Sequence, residues 1–193
     1  MLLAVNLRRV DLPLGRIVRS RALSLYFRLI WLFITARKRP LVPALGPSRI
    51  TLTVLPNDLD ALGHMNNGRF LSVMDLGRVD LLIRSGFYAV ARKRRWFPLV
   101  GRVSIEYRKP LLPWQRYTIE TRTIGWDERW IYIQQVFLLQ DEIAAVAGVK
   151  AMIRGPQGAV SPAEALIAVG APITSPEIPT SWAHMRERLS ASN

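Results

Sequence analysis

The most regular hydrophobic pattern runs from Asn67 to Ser85. Its apolar residues recur at steps of three and four, the spacing of one face of an α-helix. They are Phe70, Leu71, Val73, Met74, Leu76, Val79, Leu82 and Ile83. Asn66 or Asn67 can cap the N-terminus of this helix, and Gly86 can end it. The stripe is wide and Gly77 permits close approach by a neighbour, so we expect a buried helix surrounded by a sheet.

The segments around this helix alternate apolar and polar residues, which is typical of strands. Predicted strands cover residues 50–55, 100–107, 115–124, 130–139 and 143–153. A hairpin turn is expected at 125–129, and 155–158 is expected to end the sheet. The order of strand, buried helix and four strands predicts an α+β fold in which a long central helix is wrapped by a curved antiparallel sheet. Other α+β folds share this order.

Residues 22–36 form a strongly apolar run that contains Arg28. A membrane-spanning helix needs about 20 apolar residues, so we do not predict one here. No small-residue cleavage site follows, which argues against export and favours a cytoplasmic location. Two interpretations remain. The helix packs on the domain, or it lies in a membrane interface with Trp31 and Phe33 inserted and residues 37–39 on lipid phosphates.

The charge is concentrated near the N-terminus. The chain has a net charge of +13, and residues 1–40 contribute +8 of it through nine Lys and Arg against Asp11. A nucleic-acid-binding surface would interleave basic and aromatic residues, which is not the pattern here. The basic segment at residues 1–40 fits an anionic membrane surface or a polyphosphate ligand better, although ordinary surface charge for solubility is an equal alternative.

Cysteine is absent, and the two histidines, His64 and His184, are far apart in sequence. Disulfides and a cysteine nucleophile are therefore excluded, and a metal site is not expected. We divide the chain into a basic N-terminal extension (1–22), an apolar and basic helix (23–40), the main domain (41–155) and a C-terminal tail (156–193). Short helices are expected in this tail at 162–169 and 181–189.

The loop before the central helix holds the candidate chemistry. Asp58 and Asp60 stand two residues apart and His64 follows. A helix N-terminus presents free N–H groups and a positive partial charge, which stabilise an oxyanion as a carbonyl carbon is attacked. A carboxylate beside it can act as a general base or a nucleophile. The alternative is that these residues only form the turn and the cap.

The segment from Asn57 to Leu71 reads NDLDALGHMNNGRFL. It resembles the active-site segment of hotdog-fold thioesterases, D-x-D-x-x-G-H-V/M-N-N-x-x-Y/F. That pattern belongs to the 4-hydroxybenzoyl-CoA thioesterase-like group and to plant acyl-ACP thioesterases. The segments LPND at 55–58, HMNN at 64–67 and IGWD at 124–127 make the chain most similar to the thioesterase superfamily member 6-like group. The segment YRKPL at 107–111 also resembles the strand-ending segment of the wider superfamily. The resemblance covers roughly residues 25–155.

The resemblance implies catalytic roles for two side chains. Asp60 matches the family's catalytic carboxylate, and His64 matches a histidine that belongs to the catalytic set in the acyl-ACP branch. That branch has an Asn where this chain has Leu62, so a carboxylate-led mechanism is favoured. Asp58 matches an acid that we interpret as structural. Asp75 falls where many relatives carry an acid, and could orient Arg78 or face the site.

The resemblance also implies a substrate-binding stretch directly after the histidine. Asn66 and Asn67 match positions expected to cap the helix and shape the oxyanion site. Backbone N–H groups from His64 to Gly68, including that of Met65, would polarise the thioester carbonyl.

The function implied is hydrolysis of a fatty or aryl acyl-CoA to the free acid and CoA, without a cofactor or a metal. A homodimer or a dimer of dimers is implied as well, with each site completed by the second subunit. No nucleic-acid partner is expected, and peripheral membrane contact through residues 22–39 is the further partner hypothesis. The alternative function is a non-catalytic acyl- or lipid-binding hotdog module at a membrane surface.

Overall fold

The fold centres on a helix that lies across an antiparallel sheet. A computed structural model describes residues 14–172, 174–182 and 185, with side chains from residue 25. The helices are α1 (Leu14–Ala36), α2 (Asn67–Arg84), α3 (Phe87–Arg94) and α4 (Pro162–Ile167). The strands are β1 (Ser48–Thr53), β2 (Phe97–Tyr107), β3 (Arg116–Trp126), β4 (Ile131–Leu139), β5 (Glu142–Gly155) and β6 (Gly158–Val160).

The sheet has the order β1-β3-β4-β5-β2, with β6 paired to β5. Every pair is antiparallel. The predicted strands and the β3-β4-β5 meander are confirmed, with ends that shift by a few residues. Strand β2 forms one edge of the sheet and has no strand on its outer side within the described chain.

Helix α2 packs its apolar stripe into the curved sheet, as the helical period predicted. Phe70, Val73, Met74 and Leu76 are buried in one cluster with sheet residues such as Phe137. Asn66 caps the helix by accepting a hydrogen bond from Gly68 N–H at 2.9 Å. A long helix enclosed by a curved antiparallel sheet is the hotdog arrangement, and this fold prediction is confirmed.

Two local predictions are wrong, and one short helix was missed. Residues Gly125 and Trp126 continue β3 through a bulge, and the turn lies at 127–130 instead, where the Asp127 carboxylate accepts hydrogen bonds from two backbone amides. Residues 155–158 form a tight turn into β6 rather than ending the sheet. Helix α3 was not predicted, because its eight residues are too few to show a helical apolar period.

Helix α1 is longer than predicted and begins within the basic extension. Its residues Leu25, Leu29 and Leu32 join the main core, so the helix packs on the domain. No helix in the described part of the chain is long and apolar enough to cross a membrane. In the C-terminal tail, α4 forms within the helix predicted at 162–169, and a 3-10 turn forms at Thr180–Trp182. Residues 1–13, 173, 183–184 and 186–193 lie outside the described residues, and with them most of the helix predicted at 181–189.

Gly77 lets α2 approach the sheet closely. A Cβ atom at this position would lie 2.6 Å from Thr121 Oγ1 and 2.8 Å from Gln135 Nε2. The Gln135 side chain is held, because its Nε2 donates to Met74 O at 3.0 Å and to Thr121 Oγ1 at 2.9 Å. Neither atom can therefore move away without breaking a buried hydrogen bond.

Replacing Gly77 with Ala is expected to lower the free energy of unfolding by about 1–3 kcal/mol, the usual range for overpacking. This loss outweighs the helix propensity of alanine, which favours it over glycine by about 1 kcal/mol. Urea denaturation would measure the change. Ser72→Ala, at a partly exposed position in the same helix, is the control and should stay within about 0.5 kcal/mol of wild type. A Gly77→Ala protein as stable as this control would contradict the close-packing argument.

Candidate functional site

The loop that precedes α2 folds back on itself so that Asp60 and His64 meet. Asp60 N–H donates to His64 O at 2.9 Å, and Gly63 N–H donates to Asp60 O at 3.2 Å. Gly63 has φ of +81°, which glycine adopts without strain. Asp60 Oδ1 accepts from Leu62 N–H at 2.8 Å and closes an Asx turn.

Asp60 and His64 form the centre of the candidate site. His64 Nδ1 lies 3.3 Å from Asp60 Oδ2, and both side chains are partly exposed. The carboxylate is therefore open to solvent, and an imidazole nitrogen lies beside it. The structure brings together the two side chains that the resemblance implied. Leu62, which stands where the acyl-ACP branch has an Asn, lies between them at the tip of the loop and is 81% exposed.

Asp58, only two residues earlier, has a different environment. Its carboxylate is fully buried and accepts from Arg28 Nη2 at 2.7 Å and Arg69 Nε at 2.9 Å. It also accepts from Leu55 N–H at 3.0 Å. Both oxygens are occupied and out of reach of solvent, so Asp58 is unsuited to proton transfer with a substrate. This agrees with the structural role that the sequence interpretation gave it.

The Asp58 cluster also positions the loop that carries Asp60 and His64. Asp58 O accepts Asn66 N–H at 2.9 Å, so the residue that starts the loop is tied to the residue that caps α2. Arg28 belongs to α1 and additionally donates to Thr53 O at 2.9 Å. Helix α1, the end of β1 and the N-terminus of α2 are thereby joined at one buried carboxylate.

The backbone amides at the start of α2 are not equivalent. Met65 N–H donates to Leu111 O at 2.8 Å, Asn66 N–H to Asp58, and Gly68 N–H to the side chain of Asn66. Asn67 is the first residue of the helix, and its N–H therefore has no acceptor within that helix. Among the predicted substrate-binding residues, Asn67 is thus the one whose N–H is best placed to donate a hydrogen bond to an oxyanion.

A cleft of about 250 Å³ opens beside this amide. It is lined by His64, Met65, Asn67, Phe70, Tyr107, Arg108, Lys109 and Pro110. Tyr107 Oη donates to Asn67 O at 3.0 Å and fixes the first turn of α2 against the end of β2. Burial raises the pKa of Tyr107, so the phenol stays protonated as this donor. Met65 itself is buried in the core, and only part of its surface reaches the cleft.

A second, mostly apolar cavity of about 190 Å³ lies along the other half of α2. Val79, Leu82, Ile133 and Met152 are among its lining residues. Two charged side chains, Asp75 and Arg78, also line it and pair with each other. The ion pair matches the orienting role considered for Asp75.

Arg78 is held by a buried polar network that sequence reasoning missed. Its Nη1 donates to Gln135 Oε1 at 2.7 Å, and Gln135 is fully buried beneath the helix. Desolvation lowers the pKa of Arg78, and Asp75 opposes that effect. No local signal marks Gln135, because its partners lie on β3 and α2, far away in sequence.

Comparison with known proteins places the chain in a family. A family model for the thioesterase-like superfamily matches residues 54–169. The protein THEM6 of Xenopus laevis is 37% identical over 95 residues, which cover 48% of this chain and 46% of that protein. The chain spans about half the length of the curated relatives it matches.

Solved structures share the fold. The probable thioesterase YbaW of Escherichia coli superposes with a TM-score of 0.59 at 22% identity, over 63% of this chain and 94% of that one. A 1,4-dihydroxy-2-naphthoyl-CoA thioesterase of Synechocystis superposes with a TM-score of 0.56 at 11% identity, over 64% and 95%. At these identities the likeness shows the fold alone. The family resemblance predicted from the loop is confirmed, and the match to more than half of the residues shows that this chain belongs to the thioesterase-like superfamily.

Proposed function

We propose that the protein hydrolyses acyl-CoA thioesters to the free acid and CoA. The observation that carries this proposal is the pairing of Asp60 with His64 at the N-terminus of α2, beside an open cleft. Membership of the thioesterase-like superfamily supports the reaction type. The Synechocystis neighbour acts on an aryl-CoA, and for this reason the proposed substrates include aryl as well as fatty acyl-CoAs.

The reaction needs one base and one oxyanion donor. Asp60 takes a proton from water as the water oxygen bonds to the thioester carbonyl carbon. The oxyanion that forms is stabilised by the Asn67 amide and by the positive end of α2. The C–S bond then breaks, and the proton passes from Asp60 to the departing thiolate. In a variant of this route, Asp60 attacks directly and water hydrolyses the resulting anhydride.

His64 assists Asp60 and does not replace it as the base. With Nδ1 facing Oδ2, the imidazole orients the carboxylate or donates on the oxyanion side. Met65, Asn66 and Gly68 shape the site through their backbone hydrogen bonds, and of these three Met65 also lines the cleft.

The same cleft offers cationic side chains for the phosphates of the CoA moiety. Arg108 and Lys109 line it, and each is roughly half exposed and paired with a surface carboxylate, Glu106 or Glu142. Such exposed pairs are weak and readily exchanged, so a phosphate can replace the carboxylate.

The acyl group would occupy the apolar cavity along α2, and a homodimer brings this cavity near the cleft. The edge strand β2 exposes Phe97, Leu99 and Val100, and an unpaired edge of this kind is suited to pairing with a second copy. In an antiparallel pair of β2 strands, the start of one strand lies beside the end of the other. The cavity at residues 98–100 of one subunit would then adjoin the cleft at Tyr107 of its partner.

Thiol release from a panel of acyl-CoAs tests the proposal. We expect hydrolysis of a subset of fatty or aryl acyl-CoAs by the purified chain. The matching acyl-pantetheine thioesters, which lack the nucleotide phosphates, should show a higher KM because Arg108 and Lys109 lose their partners. Binding of acyl-CoA without any thiol release would instead identify the non-catalytic acyl-binding module.

A further inference from the structure

Helix α1 has an outer face that no described residue covers. Leu25, Leu29, Leu32 and Ala36 form the inner face and pack on the domain. The outer face carries five large apolar side chains, each more than half exposed: Tyr26, Phe27, Ile30, Trp31 and Ile34. A contiguous exposed apolar patch of this kind marks an interaction surface.

Cations stand at the C-terminal end of this outer face. Arg37 and Lys38 follow the helix and are exposed, whereas Arg39 turns inward to Asp80 and to Arg49 O. Arg37 lies one turn beyond Phe33, whose ring packs edge to face on Tyr88 of α3 with centroids 5.7 Å apart. The aromatic contact places α3 directly beside the end of the apolar stripe.

The two helices enclose a surface cleft of about 450 Å³. Its lining is Arg37, Tyr88, Ala89, Arg92 and Lys93. Arg94, the next residue of α3, pairs with Glu164 at 3.1 Å and stacks on Trp96. Arg37, Arg92 and Lys93, in contrast, pair with no carboxylate among the described residues. The cleft therefore collects three cations, two from α3 and one from the residue that follows α1, and Tyr88 also lines it.

A favourable helix dipole accounts for cations in the last turn of α3, but not for the convergence with Arg37 beside an apolar stripe. A bilayer surface accounts for both features together. Apolar side chains enter the boundary between head groups and acyl chains, while Lys and Arg bind the anionic lipid phosphates. Because Arg28 and the inner face hold α1 flat on the domain, only the outer face is free to enter.

We propose that the outer face of α1 and the cleft between α1 and α3 form one docking surface for an anionic phospholipid bilayer. Tyr26, Ile30, Trp31 and neighbouring side chains insert at the interface. Arg37, Arg92 and Lys93 bind lipid phosphate in the cleft. This surface is separate from Asp60 and holds whether or not the proposed hydrolysis is correct.

Vesicle co-sedimentation tests the proposal on the full chain. We expect it to pellet with vesicles of equal parts phosphatidylcholine and phosphatidylglycerol, and far less with phosphatidylcholine alone. Arg37→Gln with Arg92→Gln should weaken partitioning roughly twenty-five-fold, since each cation near an anionic surface contributes roughly fivefold. The matched control, Arg122→Gln with Arg154→Gln, removes two exposed arginines on strands and should partition like wild type.

A second variant probes the apolar part without changing charge. Trp31→Ser with Ile34→Ser should also lose partitioning while its thermal unfolding stays close to that of wild type. The proposal is overturned if the wild-type chain fails to pellet, or if the two-arginine variant pellets like its control. It is equally overturned if the serine variant pellets unchanged or turns a dimer into a monomer, since the face would then belong to a second copy. A raised KM for acyl-CoA in the two-arginine variant, with vesicle binding intact, would assign the cations to CoA instead.

Discussion

Replacing Asp60 with Asn is expected to lower kcat for acyl-CoA hydrolysis by a factor of about a hundred to ten thousand, the range for loss of a general base. The fold should not change, because an asparagine Oδ1 can still accept the Leu62 amide that closes the Asx turn. The variant loses only the charge and basicity of the group that faces His64. Thiol release with saturating acyl-CoA would measure kcat, and urea denaturation would show unchanged stability.

Asp141→Asn is the matched control, since it removes an exposed carboxylate in the turn between β4 and β5. It should hydrolyse substrate at the wild-type rate. His64→Gln is expected to lose less activity than Asp60→Asn, because the histidine assists a carboxylate that remains. An Asp60→Asn enzyme that hydrolyses the whole panel as fast as wild type would refute the carboxylate-led mechanism.

The parts of the fold that sequence predicts well have local causes. Helix α2 has apolar residues at steps of three and four, a capping Asn66 and a glycine, Gly86, in the left-handed conformation after its end. Gly125 shows where local reasoning fails. It was interpreted as a turn residue, but a Cβ atom there would meet Ile178 Cγ1 at 2.7 Å. Glycine is needed because the C-terminal tail packs directly on this strand, and the local sequence does not predict that contact.

For the candidate site, too, the sequence predicted some features and missed others. The resemblance of the loop to the thioesterase motif pointed to Asp60 and His64, and the structure places His64 Nδ1 3.3 Å from Asp60 Oδ2. The sequence did not reveal that Asp80, on the central helix, is also fully buried, with Arg39, Ser48 and Arg84 around it. Nor did it show why Arg28 interrupts an apolar run. Arg39 and Ser48 lie 41 and 32 residues from Asp80. Asp58 lies 30 residues from Arg28. At such separations only the packed structure shows that a charge is compensated.

The Asp58 cluster leads to the largest expected effect on stability. Asp58→Ala should lower the free energy of unfolding by about 3–5 kcal/mol, because it leaves buried arginines without their carboxylate. The Leu55 amide also loses its acceptor, which adds to the loss. Arg28→Met should destabilise less, since Asp58 keeps Arg69 and the amide. Urea denaturation of each variant would measure both values.

Glu106→Ala provides the comparison, because it breaks an exposed pair with Arg108 and should change stability by only about 0–1 kcal/mol. Asp58→Ala should in addition reduce thiol release beyond any loss of folded protein, because the cluster ties the start of the loop to α1 and β1. Measuring activity well below the denaturation midpoint separates the two effects. If Asp58→Ala loses no more stability than Glu106→Ala, the buried cluster is not what holds the catalytic loop. If the stability falls but the folded variant keeps full activity, the cluster supports the fold and leaves the geometry of Asp60 unaffected.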